Sequence, residues 1–200
     1  MALLSIPDPD ALILLSLEPR VPDQANRSIW TSRTQIVGIP GAETWGIKAA
    51  IEPIATEDDE APWRAFLFGL NGRQNTFNFP LPCQYHVGSK PRVNGAAGSG
   101  YTLPLDGMTP STTILRAGKY LSVPLPSGHV RTVMLMADLV TNGSGQATAQ
   151  LNFALGEVPA DNQEVESGAP YIPVRSANGG IALSWDNAVS GASFDLDEAL

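Results

Sequence analysis

The sequence has little charge, one cysteine and two histidines, and each scarcity argues against a class of protein. Charged residues make up 16% of the 200 residues, against roughly 25% in an average soluble domain. The single cysteine, Cys83, cannot form an internal disulfide, so nothing indicates a secreted disulfide scaffold. We therefore expect a globular protein that is kept in a cytosol-like compartment until it is assembled.

Long apolar runs are also missing. The run 11–15 is far shorter than the roughly 20 residues that cross a bilayer. Asp8 and Asp10 precede it, where a signal peptide would carry basic residues. We predict a buried strand here, and neither a membrane insertion nor a signal peptide.

Basic residues are outnumbered, with 12 Lys and Arg against 20 Asp and Glu and a net charge of −8. The basic residues are scattered along the chain, with no run of even three. Proteins that bind nucleic acid by neutralising phosphates need a basic patch. The sequence thus argues against sequence-specific nucleic-acid binding.

Turn-forming residues are abundant, with 19 Gly and 17 Pro, while four Trp and six Phe argue against disorder. Alternating apolar residues between turn signals predict about ten short strands and one helix. The expected fold class is mainly β, a sandwich or a barrel, as one domain over 1–200, with a subdivision near 85–110 as the alternative. The expected strands lie within 12–18, 28–39, 45–51, 76–79, 101–105, 113–116, 120–125, 130–140, 147–153, 171–175, 181–185 and 192–196, and 20–28 is expected to be a loop.

The predicted helix covers about 57–71. Thr56 followed by Asp59 matches a capping box, and the acidic run 57–60 suits the positive end of the helix dipole. Because Pro62 is best tolerated in a first turn, a start at Asp59 is the alternative. Four apolar residues then share one face, and Asn71-Gly72 predicts the end. These four are Trp63, Phe66, Leu67 and Leu70.

No arrangement of residues predicts chemistry. Cys83 and His86 lack the two further ligands that zinc would need, and the only other histidine is His129. The segment 88–90 does not match a phosphate-binding loop, and 57–60 lacks the spacing of a calcium loop. We predict no catalytic residue, no cofactor and no metal, and hence no enzyme.

Several short motifs occur in a fixed order between residue 30 and the C-terminus. The helix and the following strand carry Trp63-Arg64-Ala65-Phe66-Leu67, Leu70-Asn71-Gly72-Arg73 and Thr76-Phe77. The other motifs are Thr34-Gln35-Ile36-Val37, Trp45-Gly46-Ile47, Leu115-Arg116-Ala117-Gly118-Lys119-Tyr120, Gly143-Ser144-Gly145-Gln146-Ala147-Thr148 and Ser193-Phe194-Asp195-Leu196-Asp197-Glu198-Ala199. In this order they resemble the minor tail and distal tail proteins of long-tailed bacteriophages and prophages, although Lys119 stands where that family usually has an acid.

The resemblance implies a structural virion protein that joins the tail tube to the tip or baseplate. Distal tail proteins commonly form hexameric rings on a β-rich, tube-like domain, so it implies a ring of copies of this chain around the DNA channel. The implied partners are the chain itself, the tail tube and the tip or hub. The implied location is the virion tail, after synthesis in the host cytoplasm. We expect assembly contacts in the loops 87–111 and 156–169, with mobile surface loops as the alternative.

Two other functions compete with this one. A carbohydrate- or receptor-binding module on the tail would need exposed aromatic residues clustered on one face, whereas most Trp and Phe here are at core-like positions. A tail-associated hydrolase would need paired acids in a cleft, and Glu57 and Asp59 would be the residues to substitute. The structural role is the leading hypothesis.

Overall fold

The computed structural model describes residues 2–82, 84–95, 98–179, 183–186 and 189–200, with backbone alone for 183–186 and 189–190. The fold is mainly β with one α-helix in this described part, which confirms the predicted class, and none of its sheets closes into a barrel. The chain divides into two compact units. The first unit comprises Met1–Arg20, Thr44–Pro80 and Ile172–Leu200, and the second comprises Val21–Glu43 and Leu81–Tyr171.

Sixteen strands and one α-helix are assigned in the described residues. In the N-terminal part they are β1 Leu3–Leu4, β2 Leu12–Arg20, β3 Asp23–Arg27, β4 Thr34–Gly38, β5 Thr44–Ile51, α1 Glu57–Gly69 and β6 Thr76–Pro80. The middle contains β7 Arg92–Val93, β8 Thr102–Asp106, β9 Thr113–Leu115, β10 Tyr120–Pro124, β11 Val130–Met134, β12 Leu139–Val140 and β13 Ala147–Gln150. The C-terminal strands are β14 Tyr171–Ser176, β15 Leu183–Asp186 and β16 Val189–Glu198.

The first unit is built on one seven-stranded sheet in the order β1-β6-β14-β16-β5-β2, with β15 paired to β16. Strand β5 lies between β16 and β2 and is antiparallel to both. Its alternating residues are buried, as the period of two predicts, and Trp45 is only 3% exposed.

Helix α1 packs its apolar face within the first unit. Thr56 accepts a hydrogen bond from the Asp59 amide at 3.3 Å, so the predicted cap is confirmed and the alternative start at Asp59 is wrong. The Phe66 ring makes edge-to-face contacts with Trp63 and with Phe77 of β6, with centroids 5.7 and 5.2 Å apart. These contacts attach the helix to the sheet.

The second unit contains four small sheets rather than one large sheet. They are β7-β8-β13, β10-β11, β9-β12 and β3-β4. The predicted turn at 142–145 is confirmed, since the Asn142 side chain accepts from the Ser144 and Gln146 amides and Gly145 has a φ of +73°.

Several predictions about the strands are wrong. Residues 12–15 of the run 11–15, predicted to be a buried strand, belong to β2, in which every residue is half-buried or exposed. The segment 20–28 contains strand β3, which pairs with β4, so it is not a loop throughout. The predicted strand over 28–39 is reduced to β4, because 28–33 forms the turn of that pair. The predicted strand over 130–140 is two strands that pair with different partners, β11 with β10 and β12 with β9. Residues 181–182 of the predicted strand 181–185 lie outside the described residues.

Candidate interaction surface

The two loops that the sequence analysis selected for assembly contacts lie against each other. Backbone hydrogen bonds of 2.9 Å join Val93 to Asn162 and to Gln163, and another joins Pro91 to Val165. The ranges 87–111 and 156–169 are therefore anchored to each other rather than free along their whole length. Their role in assembly stays a prediction.

A salt bridge strengthens the same contact. The Lys90 ammonium lies 2.5 Å from a carboxylate oxygen of Glu166, whose other oxygen accepts from the Gly168 and Ala169 amides. Burial acts to raise the pKa of Glu166, but the Ala169 amide, Lys90 and the Gly168 amide outweigh it and hold this pKa below its ordinary value. Glu166 is thus held in its charged form.

A buried ion pair, Arg131–Glu43, lies inside the second unit. Both side chains are under 5% exposed, and their nearest charged atoms are 3.8 Å apart. The Arg131 guanidinium also donates to the carbonyls of Glu43 and Ala154, at 2.7 and 3.2 Å, and lies 5.3 Å from the Phe153 ring centroid.

Both oxygens of the Glu43 carboxylate accept hydrogen bonds. It accepts from the Tyr101 hydroxyl at 2.7 Å and from the Gly41 amide at 2.6 Å. Desolvation acts to raise the pKa of Glu43, but the bonds from Tyr101 and the backbone, together with Arg131, lower it overall. The pair fixes the chain just after β4, which is a structural role.

Among the side chains that the structure describes, the most exposed apolar ones belong to the β3–β4 hairpin, defined as residues 23–38. All residues of β3 and β4 are exposed, and their cross-strand pairs run from Asp23–Gly38 to Arg27–Thr34. The connecting turn places Ile29 and Trp30 in solvent, 93% and 95% exposed. Sequence reasoning placed Trp30 in an ordinary strand and missed this.

The hairpin turn is ordered by its own polar groups. The Ser28 amide donates to the Arg33 carbonyl at 2.9 Å, and the Ser28 hydroxyl accepts from the Thr31 amide at 3.2 Å. Ser32 has a φ of +54°, which closes the turn. The turn thus holds its two apolar residues outward between Arg27 and Arg33.

An acidic cavity of about 400 Å³ lies beside the start of α1 in the first unit. Its apolar lining includes Ile54, Pro62 and Trp63, and four carboxylates surround it. These four are Asp8, Glu52, Asp58 and Asp59. We call it the acidic pocket.

A second cavity, of about 360 Å³, lies in the second unit beside Tyr85. Tyr85 is 84% exposed, while Ile114 and Leu115 form a buried apolar floor. Arg116 and Lys119 also line the cavity. An aromatic ring beside two cations could bind a polar or anionic ligand.

Of the residues with candidate chemistry, those that the structure describes do not form one cluster, although Asp59 also lines the acidic pocket. Glu57 and Asp59 belong to the first turn of α1, where Asp59 is engaged by Thr56. His86 is partly buried, His129 is exposed, and Cys83 lies outside the described residues. Among the described residues, no group of three or more His, Cys, Asp or Glu is placed to hold a metal ion.

Several of the motif residues that carry the resemblance serve the fold. Trp45, Trp63 and Phe194 are buried, and Gly118 turns the chain with a φ of +83°. The motif 34–37 differs, because it lies on the exposed strand β4. Core packing does not account for this motif.

No protein-family model matches the chain, and no curated protein matches it at a significant level. Within the described residues, no helix has the length and apolar character needed to cross a membrane.

Proposed function

We propose that this chain is a structural subunit of the tail of a long-tailed bacteriophage, a distal tail or tail-tip protein. In this role, copies of the chain form a ring around the DNA channel and join the tail tube to the tip or baseplate. The resemblance of the ordered motifs to that family is what suggests the tail.

The observation that carries the assembly role is the β3–β4 hairpin. A two-stranded hairpin is marginally stable at best on its own in water. In the described part of the chain, its apolar residues Ile29, Trp30 and Ile36 are 93%, 95% and 65% exposed. Exposed apolar surface of this kind is typical of protein–protein contacts, so the hairpin is suited to a contact with another subunit.

The other features are compatible with a subunit of a ring. The chain is mainly β, and the motif on β4 lies where a partner can reach it. The net charge of −8 suits a channel wall along which nucleic acid passes without binding. A heterologous contact between identical subunits closes into a ring when the rotation suits.

Light scattering on the purified protein, followed by negative-stain imaging, tests this proposal. A ring of six subunits would have six times the 21.2 kDa mass of the chain and a central hole. A protein that stays monomeric at every concentration, and that neither binds purified tail tubes nor is found in tails, would contradict it.

A binding module is the second candidate, favoured by the cavity beside Tyr85. An exposed aromatic ring next to Arg116 and Lys119 suits an acidic sugar. A glycan array followed by titration calorimetry would detect such binding. If Tyr85→Ala abolishes glycan binding while the fold is retained, the binding module becomes the favoured function over the ring subunit.

A further inference from the structure

We propose that the turn of the β3–β4 hairpin of one copy inserts into the acidic pocket of a second copy. The inference rests on the proposed function, because it names the contact by which copies of the chain would associate. It is argued from the exposure, the charge and the size of the two surfaces.

The hairpin turn has the features of an anchor. Trp30 offers a large apolar ring and one N–H donor, and such aromatic residues dominate the binding energy of interfaces. Arg27 and Arg33 flank it and form no side-chain hydrogen bond or ion pair with any described residue. An apolar centre is thus framed by two positive charges.

The acidic pocket has the complementary features. Pro62, Ile54 and Trp63 provide an apolar lining, and the volume of about 400 Å³ falls in the roughly 300–1,000 Å³ range of ligand-binding pockets. The carboxylates of Glu52 and Asp58 make no side-chain hydrogen bond or ion pair with any described residue. They are free to accept a guanidinium or an indole N–H.

Two of the four carboxylates have local roles. Asp8 accepts from the Asp10 amide at 3.0 Å, and Asp59 is bound to Thr56 at the helix start. Glu52 has no such role, since only its backbone amide is used, donating to the Ala11 carbonyl at 2.9 Å. Helix capping therefore does not account for the charge at Glu52.

A second copy of this chain is the occupant that the charges favour. The pocket concentrates negative charge, while the turn carries two of the chain's 12 basic residues next to the ring of Trp30, which is 95% exposed. Because the hairpin and the pocket are different surfaces, the contact is heterologous. Repeated from copy to copy, it can close a ring.

A charge swap in the full-length chain tests the contact. We expect Arg33→Glu and Glu52→Arg each to weaken self-association about tenfold or more in sedimentation equilibrium, because each brings like charges together. The double variant Arg33→Glu/Glu52→Arg restores opposite charges, and its association should return to within about threefold of the original. Arg116→Glu is the matched control, since it makes the same change at an exposed arginine outside both surfaces.

Removing Trp30 should weaken self-association more than the single charge reversals do. Trp30→Ala should weaken self-association by about thirtyfold or more, the range of an interface hot spot. Tyr85→Ala is its control, because it removes another highly exposed aromatic ring. Equal losses in the two variants, or a double charge variant no better than the singles, would overturn the proposed contact.

Cross-linking tests the same contact if self-association is too weak to measure by sedimentation. On a Cys83→Ser background, a chain with Thr31→Cys is mixed with a tagged chain with Ala55→Cys and treated with a short bismaleimide. We expect a mixed dimer at least tenfold more abundant than with a Ser127→Cys partner. Equal yields, or no mixed dimer, would overturn the contact.

The outcomes separate this inference from the proposed function. If the ring persists in Trp30→Ala and the charge-swap variants associate like the unaltered protein, the proposed ring is retained and the hairpin contact is refuted. A hairpin-to-pocket cross-link in a protein that forms only open filaments and never joins tails would support the contact and refute the tail role.

Discussion

Strand β5 and the β3–β4 hairpin carry similar residues and use them in opposite ways. In β5, Trp45 and Ile47 are buried between β16 and β2. In the hairpin, Trp30 and Ile36 are exposed, and among the described strands β3 and β4 pair only with each other. Apolar, β-prone sequence is thus buried in the chain's own core in one region and exposed to solvent in the other.

The difference separates two sources of stability. Burial within the chain removes apolar area from water in every copy, whereas an exposed hairpin gains that energy only when a second surface covers it. Substitutions in the core should therefore change the free energy of unfolding of the chain, and substitutions in the hairpin should change association.

The largest expected effect is that of Trp63→Ala in α1. Trp63 is only 3% exposed and contacts Phe66, so its loss leaves a cavity and should cost about 3–5 kcal/mol of unfolding free energy. Urea denaturation followed by circular dichroism measures it. A loss under about 1 kcal/mol would contradict the packing of the helix on the sheet.

Removing one partner of the buried ion pair should be comparably severe. Arg131→Ala leaves Glu43 charged in a buried site and removes the bonds to Ala154 and to the Glu43 carbonyl, so we expect a cost of about 3–5 kcal/mol. The double variant Arg131→Ala/Glu43→Ala should cost less than the sum of the single variants in the same denaturation assay. Additive costs would show that the pair is not coupled.

A smaller, pH-dependent effect is expected at Glu166. Because its pKa in the folded state is lowered below 4.5, its stabilisation is complete above that value and is lost as the pH falls through the lowered pKa. At pH 7, Glu166→Gln should cost about 0.5–1 kcal/mol after solvent screening. Denaturation of the unaltered protein and of Glu166→Gln from pH 7 to pH 3 should show that the difference between their unfolding free energies becomes smaller. A difference that stays constant with pH would contradict the charge-based account.

The smallest expected effect on stability is that of Trp30→Ala. Since the ring is 95% exposed, the free energy of unfolding at a concentration where the protein is dissociated should change by less than about 0.5 kcal/mol. Trp63→Ala and Trp30→Ala remove the same side chain, one from the buried core and one from the exposed hairpin, so the difference between their unfolding free energies tests the comparison directly. A loss of several kcal/mol from Trp30→Ala would show that the ring is buried in the dissociated chain.

Local patterns predicted the parts of the fold that local physics determines. The spacing of Trp63, Phe66 and Leu67 and the cap at Thr56 predicted α1 within two residues of its observed bounds, Glu57–Gly69. The alternation in 45–51 predicted β5. In each case, side chains close in the sequence carry the signal.

The hairpin and the ion pair depend on contacts that no local pattern encodes. Strand β3 contains Asp23 and Asn26, which are unfavourable in strands, and it is ordered by pairing with β4. Arg131 lies between Val130 and Thr132 in β11, and its partner Glu43 is 88 residues away. The acidic pocket was missed because the acidic run 57–60 was assigned to the helix start alone, while Asp8 and Glu52 come from segments before α1.

The most direct test of the account is the mass in solution of the unaltered protein and of Trp30→Ala, measured by light scattering at the same concentration. The account predicts a closed assembly near six times 21.2 kDa for the unaltered protein and a mass near that of the single chain for the variant. Equal masses for the two proteins would contradict the claim that the exposed hairpin assembles the chain.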